Sequence, residues 1–207
     1  MYTPAGRENP LIRSRAESED RSRAESESRS QVRVFFAVRP PPDLRRAVGA
    51  YARIAAHETR GRAVPDDNLH LTLVFVGDVV ASTLRPLSRI GASVAARCGG
   101  VTLVLDRLDG FARAGVAWLG PSSVPKALVT LAHALERELD AAGIAYDRRP
   151  FRAHVTVARS CGGPFVARTV DPLAWPVDAL VLLRSPRGVS GGRYEMIGSW
   201  ALIPGPV

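Results

Sequence analysis

Two of the chain's four histidines sit in the same local pattern, His70-Leu71-Thr72-Leu73 and His154-Val155-Thr156-Val157. On an extended backbone alternate side chains share a face. His70 and Thr72 therefore point one way with Leu71 and Leu73 behind them, and His154 and Thr156 do the same in front of Val155 and Val157. The chain has eight Thr, so chance gives two of four His a Thr two residues on in roughly 1% of sequences. That rarity, before the apolar flanks are counted, favours chemistry over two unrelated strand histidines. Imidazoles titrate near neutrality, so a facing pair can serve as general base and general acid. A Thr hydroxyl one pleat along each strand can donate to a non-bridging phosphate oxygen. Two donors and two acid–base groups around one tetrahedral anion are what phosphodiester cleavage needs without a metal. No carboxylate cluster stands beside either motif; Asp66 and Asp67 read as turn residues.

Other residues are placed by the same strands. Arg159 ends the second motif and is the candidate phosphate-binding guanidinium, but strict alternation puts it on the face opposite His154. It needs a bulge or the strand end to swing it in. Arg152, two residues before His154, shares its face and is a candidate for an RNA backbone contact, with a solvated charge the better fit. Phe151 and Phe36 are candidate stacking faces for a base, with core packing the better fit for Phe36. His57 and His133 lack a Thr partner and read as surface residues on helices. Cys98 and Cys161 read as reduced thiols.

The elements that must hold these groups follow from periodicity and punctuation. Val32–Val38 reads as a strand stopped by Pro40-Pro41-Pro42, with Asp43 as N-cap of a helix to about His57. Gly61–Asn68 is a loop and Leu69–Gly77 an alternating strand. Ala81–Arg97 has helical spacing and ends at Gly99-Gly100. Val101–Leu108 and Val116–Leu119 form a hairpin. Ser123–Ala142 is a helix with Gly143 as its C-cap. His154–Arg159, Leu180–Leu183 and Tyr194–Leu202 are strands, the last two around the glycine-rich turn 188–192. The order is β-α-β-α-β followed by β-α-β-β-β, an α+β pattern of two similar halves, each with its own small sheet, sharing a groove.

Composition limits the alternatives. The chain has 207 residues, 46% hydrophobic and 23% charged, which excludes wholesale disorder. No apolar run reaches the roughly 18 residues of a membrane span, and two Cys are too few for a disulfide scaffold or a cysteine zinc site. The N-terminus lacks the apolar core of a signal peptide, which predicts the cytoplasm. The net charge of +8 is carried by 27 Arg and the single Lys126, and the planar guanidinium fork suits phosphate. Residues 1–30 repeat Ser-Arg-Ala-Glu-Ser-Glu and balance six Arg against six acids. They read as a disordered tail, so the basic surplus belongs to residues 31–207.

At the two His-x-Thr motifs the chain resembles the 2H phosphoesterase superfamily, specifically the RNA 2′,3′-cyclic phosphodiesterases, also called the 2′-5′ RNA ligase family. The resemblance spans about residues 32–203. It includes VRVFFAV, the stretch Val64–Leu73, Trp118-Leu119-Gly120, and Arg149-Pro150-Phe151 leading into His154–Arg159. Ala153 replaces a frequent Pro, and Arg39 a common aliphatic residue. The resemblance implies a single bilobal domain over 31–207, with mostly antiparallel sheets around a central cleft. It implies hydrolysis of a 2′,3′-cyclic phosphate on RNA or a nucleotide to a 2′-phosphomonoester by a monomer. No metal or cofactor takes part, and the reverse 2′-5′ ligation is open to the same groups. One of His70 and His154 is the base and the other the acid; Thr72, Thr156 and Arg159 bind phosphate, and Phe151 and Arg152 bind substrate. A binding module with the same groove and no turnover is the alternative from another class.

Overall fold

The computed structural model describes residues 31–163, 165–186 and 192–205. The mixed-charge segment 1–30 and positions 188–191 of the glycine-rich turn lie outside the described residues. β1 (Gln31–Val38) sends Val34, Phe36 and Val38 into the main core. Phe35 and Ala37 go to the opposite face, where they pack with Val181 and Leu183. The helix α1 (Pro42–Thr59) starts differently from expectation. Pro41 holds the cap position with no side-chain cap, and Asp43 lies inside the first turn, paired with Arg46. A proline at the first helical position has no N–H to satisfy, so the start does not depend on a side-chain cap.

β2 (Arg62–Ala63) and a 3-10 turn at Asp66–Asn68 lead into β3 (Leu71–Val80). A 3-10 turn at Ala81–Thr83 precedes α2 (Leu84–Ala95), which buries Leu87, Ile90 and Val94. β4 (Val101–Phe111) and β5 (Val116–Gly120) form the expected hairpin, closed at Phe111↔Val116. Gly115 in the connection has φ +58°, a left-handed conformation that glycine adopts without steric cost. α3 (Lys126–Ala141) buries Leu128, Leu131, Leu135 and Leu139 and begins three residues later than the spacing suggested, behind Pro125. Gly143 follows it at φ +64°, with Ile144 N–H returning 2.9 Å to the Leu139 carbonyl, as expected of a glycine-terminated helix.

β6 (Val155–Arg159), β7 (Arg168–Val177), β8 (Ala179–Ser185) and β9 (Glu195–Ala201) complete the described elements. β7 was not expected, because Pro172 and Pro176 interrupt its sequence. It survives as an edge strand beside β4, where the register is irregular between Leu105 and Arg107. The strands hydrogen-bond in the order β7-β4-β5-β6-β3-β1-β8-β9, with β2 added to β6. The expectation of two separate small sheets therefore gives way to one continuous path with a narrow waist. At that waist β3 and β6 are antiparallel and in register only at Leu71↔Val155. Both residues are fully buried, and truncating such a leucine costs about 2–5 kcal/mol. The waist is thus tied by core packing as much as by hydrogen bonds, and it lies one residue beyond each motif histidine.

Candidate active site

His70 and His154 each occupy the residue immediately before a strand, not the strand itself. The antiparallel pair Leu71↔Val155 fixes what lies across from what. Extending that register by one residue sets His70 opposite Thr156 and Thr72 opposite His154. With Leu71 and Val155 in the core, all four motif side chains share the other face. All four line one open cleft of about 880 Å³.

The two rings are held in the same way. His70 Nδ1 lies 2.7 Å from the Asn68 carbonyl oxygen and His154 Nδ1 lies 2.7 Å from the Arg152 carbonyl oxygen. A carbonyl only accepts, so each Nδ1 carries a hydrogen and Nε2 is the free nitrogen of each ring. Aromatic edges fix the ring planes. His70 packs against Phe35 at 4.9 Å and edge-on to Tyr194 at 5.0 Å; His154 packs edge-on to Phe111 at 5.2 Å. Gly120 lets β5 pack closely against the backbone before His154, since a Cβ there would stand 2.9 Å from the Ala153 carbonyl oxygen.

Burial sets the electrostatics. His70 is pushed down to about 4, first by desolvation of the imidazolium and then by the charges of Arg159 and Arg39, against the Asn68 carbonyl that favours the charged form. His154 is lowered too, again by desolvation first and by Arg159 next. Arg39 itself is lowered by its own burial and by Arg45, and it donates to the Asp67 carbonyl at 2.7 Å. Burial thus makes both imidazoles less basic than a free one.

Arg159 acts on both rings because a bulge turns it toward them. Against β5, Ala117 pairs with Ala158 and Trp118 with Thr156, so Val157 is the extra residue. Val157 and Ala158 are consecutive and both fully buried, and the exposed Arg159 follows on the cleft side. The bulge required for Arg159 to join His154 and Thr156 is present. β3 slips phase in the same way: Leu73 and Val74 are both buried, and Phe75 emerges into the cleft. Phe151 is half-buried at the cleft wall and Arg152 is exposed beside it. Phe36 is fully buried in the core and offers no stacking face; its neighbour Phe35 is the β1 aromatic that reaches the site. Among the described residues no three His, Cys, Asp or Glu are grouped to hold a metal, and no helix is long and apolar enough to cross a membrane.

Residues 40–188 match the family described as the 2′-5′ RNA ligase superfamily. The chain belongs to this superfamily. Curated members similar to it include an RNA 2′,3′-cyclic phosphodiesterase of Escherichia coli (strain K12), 32% identical over 174 residues, covering 82% of this chain and 96% of that one. A protein of the same name from Thermus thermophilus is 29% identical over 182 residues, covering 83% and 90%. Among solved structures, E. coli LigT in its apo form aligns with a TM-score of 0.72 at 32% identity, over 84% of this chain and 98% of that one. LigT complexed with 3′-AMP aligns equally well, at 31% identity over 83% and 98%. The fold is the α+β arrangement of these phosphoesterases.

Within this member of the 2′-5′ RNA ligase superfamily, two site residues escaped sequence reasoning. Asn68 is 6% exposed. Its carbonyl takes the His70 hydrogen bond, its amide Nδ2 donates 3.0 Å to the Gly192 carbonyl, and its Oδ1 accepts the Tyr194 N–H at 3.0 Å. One buried side chain thus ties the segment at 192–194 to the ring it packs against. Phe75, stacked on Phe35 at 6.3 Å, is the other. The signal for Asn68 was its place two residues before His70, the position Arg152 holds before His154.

Proposed function

We propose that this protein opens 2′,3′-cyclic phosphates at RNA ends or on nucleotides, leaving a 2′-phosphomonoester, and that residues 31–207 do so as a single domain. The observation that carries the reading is the matched pair of imidazoles, each tethered through Nδ1 to the carbonyl two residues back and each facing the other strand's Thr. The cyclic phosphate sits between them, with Thr72 and Thr156 donating to its non-bridging oxygens and Arg159 neutralising its charge. One imidazole takes a proton from water as its oxygen attacks phosphorus. The P–O3′ bond breaks, and the other imidazole, as imidazolium, gives O3′ its proton. These groups supply proton transfer and anion binding themselves, so no step requires a metal. A bound phosphate anion favours the imidazolium form, which offsets the desolvation that lowers both imidazoles. Phe75 and Phe151 offer aromatic faces to the base, and Asn68 positions His70.

The test is hydrolysis of 2′,3′-cyclic AMP and of an RNA oligonucleotide ending in a 2′,3′-cyclic phosphate, with EDTA present. Turnover to the 2′-phosphate is expected, falling at least a hundredfold in His70→Ala and in His154→Ala. An inactive wild type, or a double variant as active as wild type, refutes the proposal.

A further inference from the structure

We propose that the cleft reads the base of its substrate and selects guanine, with Arg149 and Glu136 as the discriminating side chains. The inference rests on the cyclic phosphodiesterase reading and adds the identity of the nucleoside whose cyclic phosphate is opened. Phe75 marks the nucleoside end. Its ring emerges on the cleft face, lies stacked on Phe35 and gives a base an apolar platform. The charged lining of the cleft is Arg113, Arg149, Arg152 and Arg159 with Glu136 and Asp147. Of these, Asp147 and Arg149 are tied to Phe75. The Asp147 N–H donates 2.9 Å to the Phe75 carbonyl. The Asp147 carboxylate in turn takes the backbone N–H of Arg149 at 3.0 Å, its Nε at 2.8 Å and one Nη. One side of the guanidinium is thereby fixed. Its far edge, with a hydrogen on each Nη, is free to bond two acceptors lying side by side.

Asp147 is engaged by Arg149, but Glu136 is not engaged by anything. It projects from α3, which packs on β3, and it is half-buried. With Arg149 it lines both the cleft and the hollow of about 540 Å³ beside it. Among the described residues its carboxylate makes no hydrogen bond or ion pair. A carboxylate in a cleft that takes a phosphate repels the anion, so its use there is to accept from donors on the substrate. A 2′,3′-cyclic phosphate ends its strand, so its base is unpaired and shows every edge. Guanine carries two adjacent acceptors, O6 and N7, which match the fork of an arginine, and two adjacent donors, N1–H and N2–H, which match a carboxylate. Adenine sets an amino group against Arg149 where guanine has O6. Cytosine offers Glu136 one amino group and uracil one N–H. Guanine is the base that fills both side chains with two hydrogen bonds each.

The experiment measures kcat/KM for the 2′,3′-cyclic phosphates of guanosine, adenosine, cytidine and uridine. Wild type should favour guanosine over adenosine by about tenfold or more, the discrimination of one well-placed bidentate contact. Glu136→Ala and Arg149→Ala should each lower that ratio about fivefold. Glu136→Gln keeps an acceptor but brings a donor, and its ratio should fall between wild type and Glu136→Ala. A ratio taken within one preparation does not depend on the fraction that folds. Four cyclic nucleotides opened at rates within twofold of one another, or a preference for another base, overturns the proposal. So does a loss in Glu136→Ala or Arg149→Ala that is the same for all four, since a phosphate contact or a structural role would produce it. If wild type opens none of them, the enzymatic reading fails by itself. Base selection is then judged by calorimetric binding of 2′-GMP and 2′-AMP: tighter binding of 2′-GMP that is lost in Glu136→Ala supports it, and equal binding overturns it.

Discussion

Replacing Arg159 with Ala tests the site through two readouts that must move together. The bulge at Val157 puts Arg159 on the cleft face, and its charge lowers both His70 and His154. A charge-assisted hydrogen bond to an anion is worth about 1.5–3 kcal/mol. At 1.36 kcal/mol per decade, its loss lowers kcat/KM for 2′,3′-cyclic AMP by about 10- to 150-fold. Removing the cation also relieves repulsion of the imidazolium forms. The macroscopic pKa values of the pair rise, and the bell-shaped pH profile of kcat/KM moves to higher pH. Arg159→Lys keeps the charge and loses the planar fork, so it should hold the profile in place and recover part of the rate. Full pH–rate profiles for wild type and both variants decide the matter. A rate loss with no alkaline shift would make Arg159 a structural residue. An unchanged rate would refute its contact with phosphate, and with it the significance given to the bulge.

Two further outcomes follow from the histidine environment. His70 stays neutral in the folded chain down to about 4, whereas an unfolded imidazole titrates near 6.5. The unfolded state therefore binds the extra proton between those values. The stabilisation from a neutral His70 is complete above pH 6.5 and is lost as pH falls toward 4, on the order of 3 kcal/mol. Urea unfolding across that range should show the decline in wild type and a flatter dependence in His70→Ala; parallel curves would contradict it. Asn68→Ala leaves the Gly192 carbonyl and the Tyr194 N–H unpaired, at about 1–3 kcal/mol of stability. It should lower kcat more than it raises KM and shift the acid limb of the pH profile upward, because His70 loses its Tyr194 cover. Asn68→Asp keeps the acceptor for Tyr194 and should fall between; a lowered melting temperature with unchanged kinetics would leave Asn68 no positioning role.

The sequence carried the site further than it carried the sheet. Period-two alternation was enough to put His70 with Thr72 and His154 with Thr156, because Leu71 and Val155 could only go inward. It did not show that those two residues pair with each other, since register depends on contacts 84 residues apart, and two sheets were expected where one path runs. Pro172 and Pro176 hid β7, whose edge position makes them tolerable. Asp43 looked like a cap, but the three prolines before it changed how the helix starts. Asn68 is a loop residue by composition; its place two residues before His70 was the one sequence signal, and its buried contacts with Gly192 and Tyr194 give that signal meaning.

The most instructive positions lie five residues after each histidine, where the sequence pointed to Arg159 on condition of a bulge and gave no sign of Phe75. The duplicated motif predicts a symmetric site, and the structure is symmetric as far as the threonines: matched Nδ1 tethers, matched aromatic edges, matched neighbours across the waist. In each half two buried residues then stand in succession, Leu73-Val74 and Val157-Ala158, and the phase slips. The side chain that emerges is Phe75 on one strand and Arg159 on the other. On the proposed reading, proton transfer to and from a cyclic phosphate needs two groups on opposite sides of phosphorus, and the symmetric part offers two. The substrate proposed above is not symmetric, with an anion at one side and a nucleoside at the other, and the paired slips place a cation and an aromatic face in the cleft. Alternation alone does not locate a bulge; it showed only that Arg159 would need one, and it gave no such hint for Phe75. Here the breaks are what turn two copies of one motif into a site with a direction.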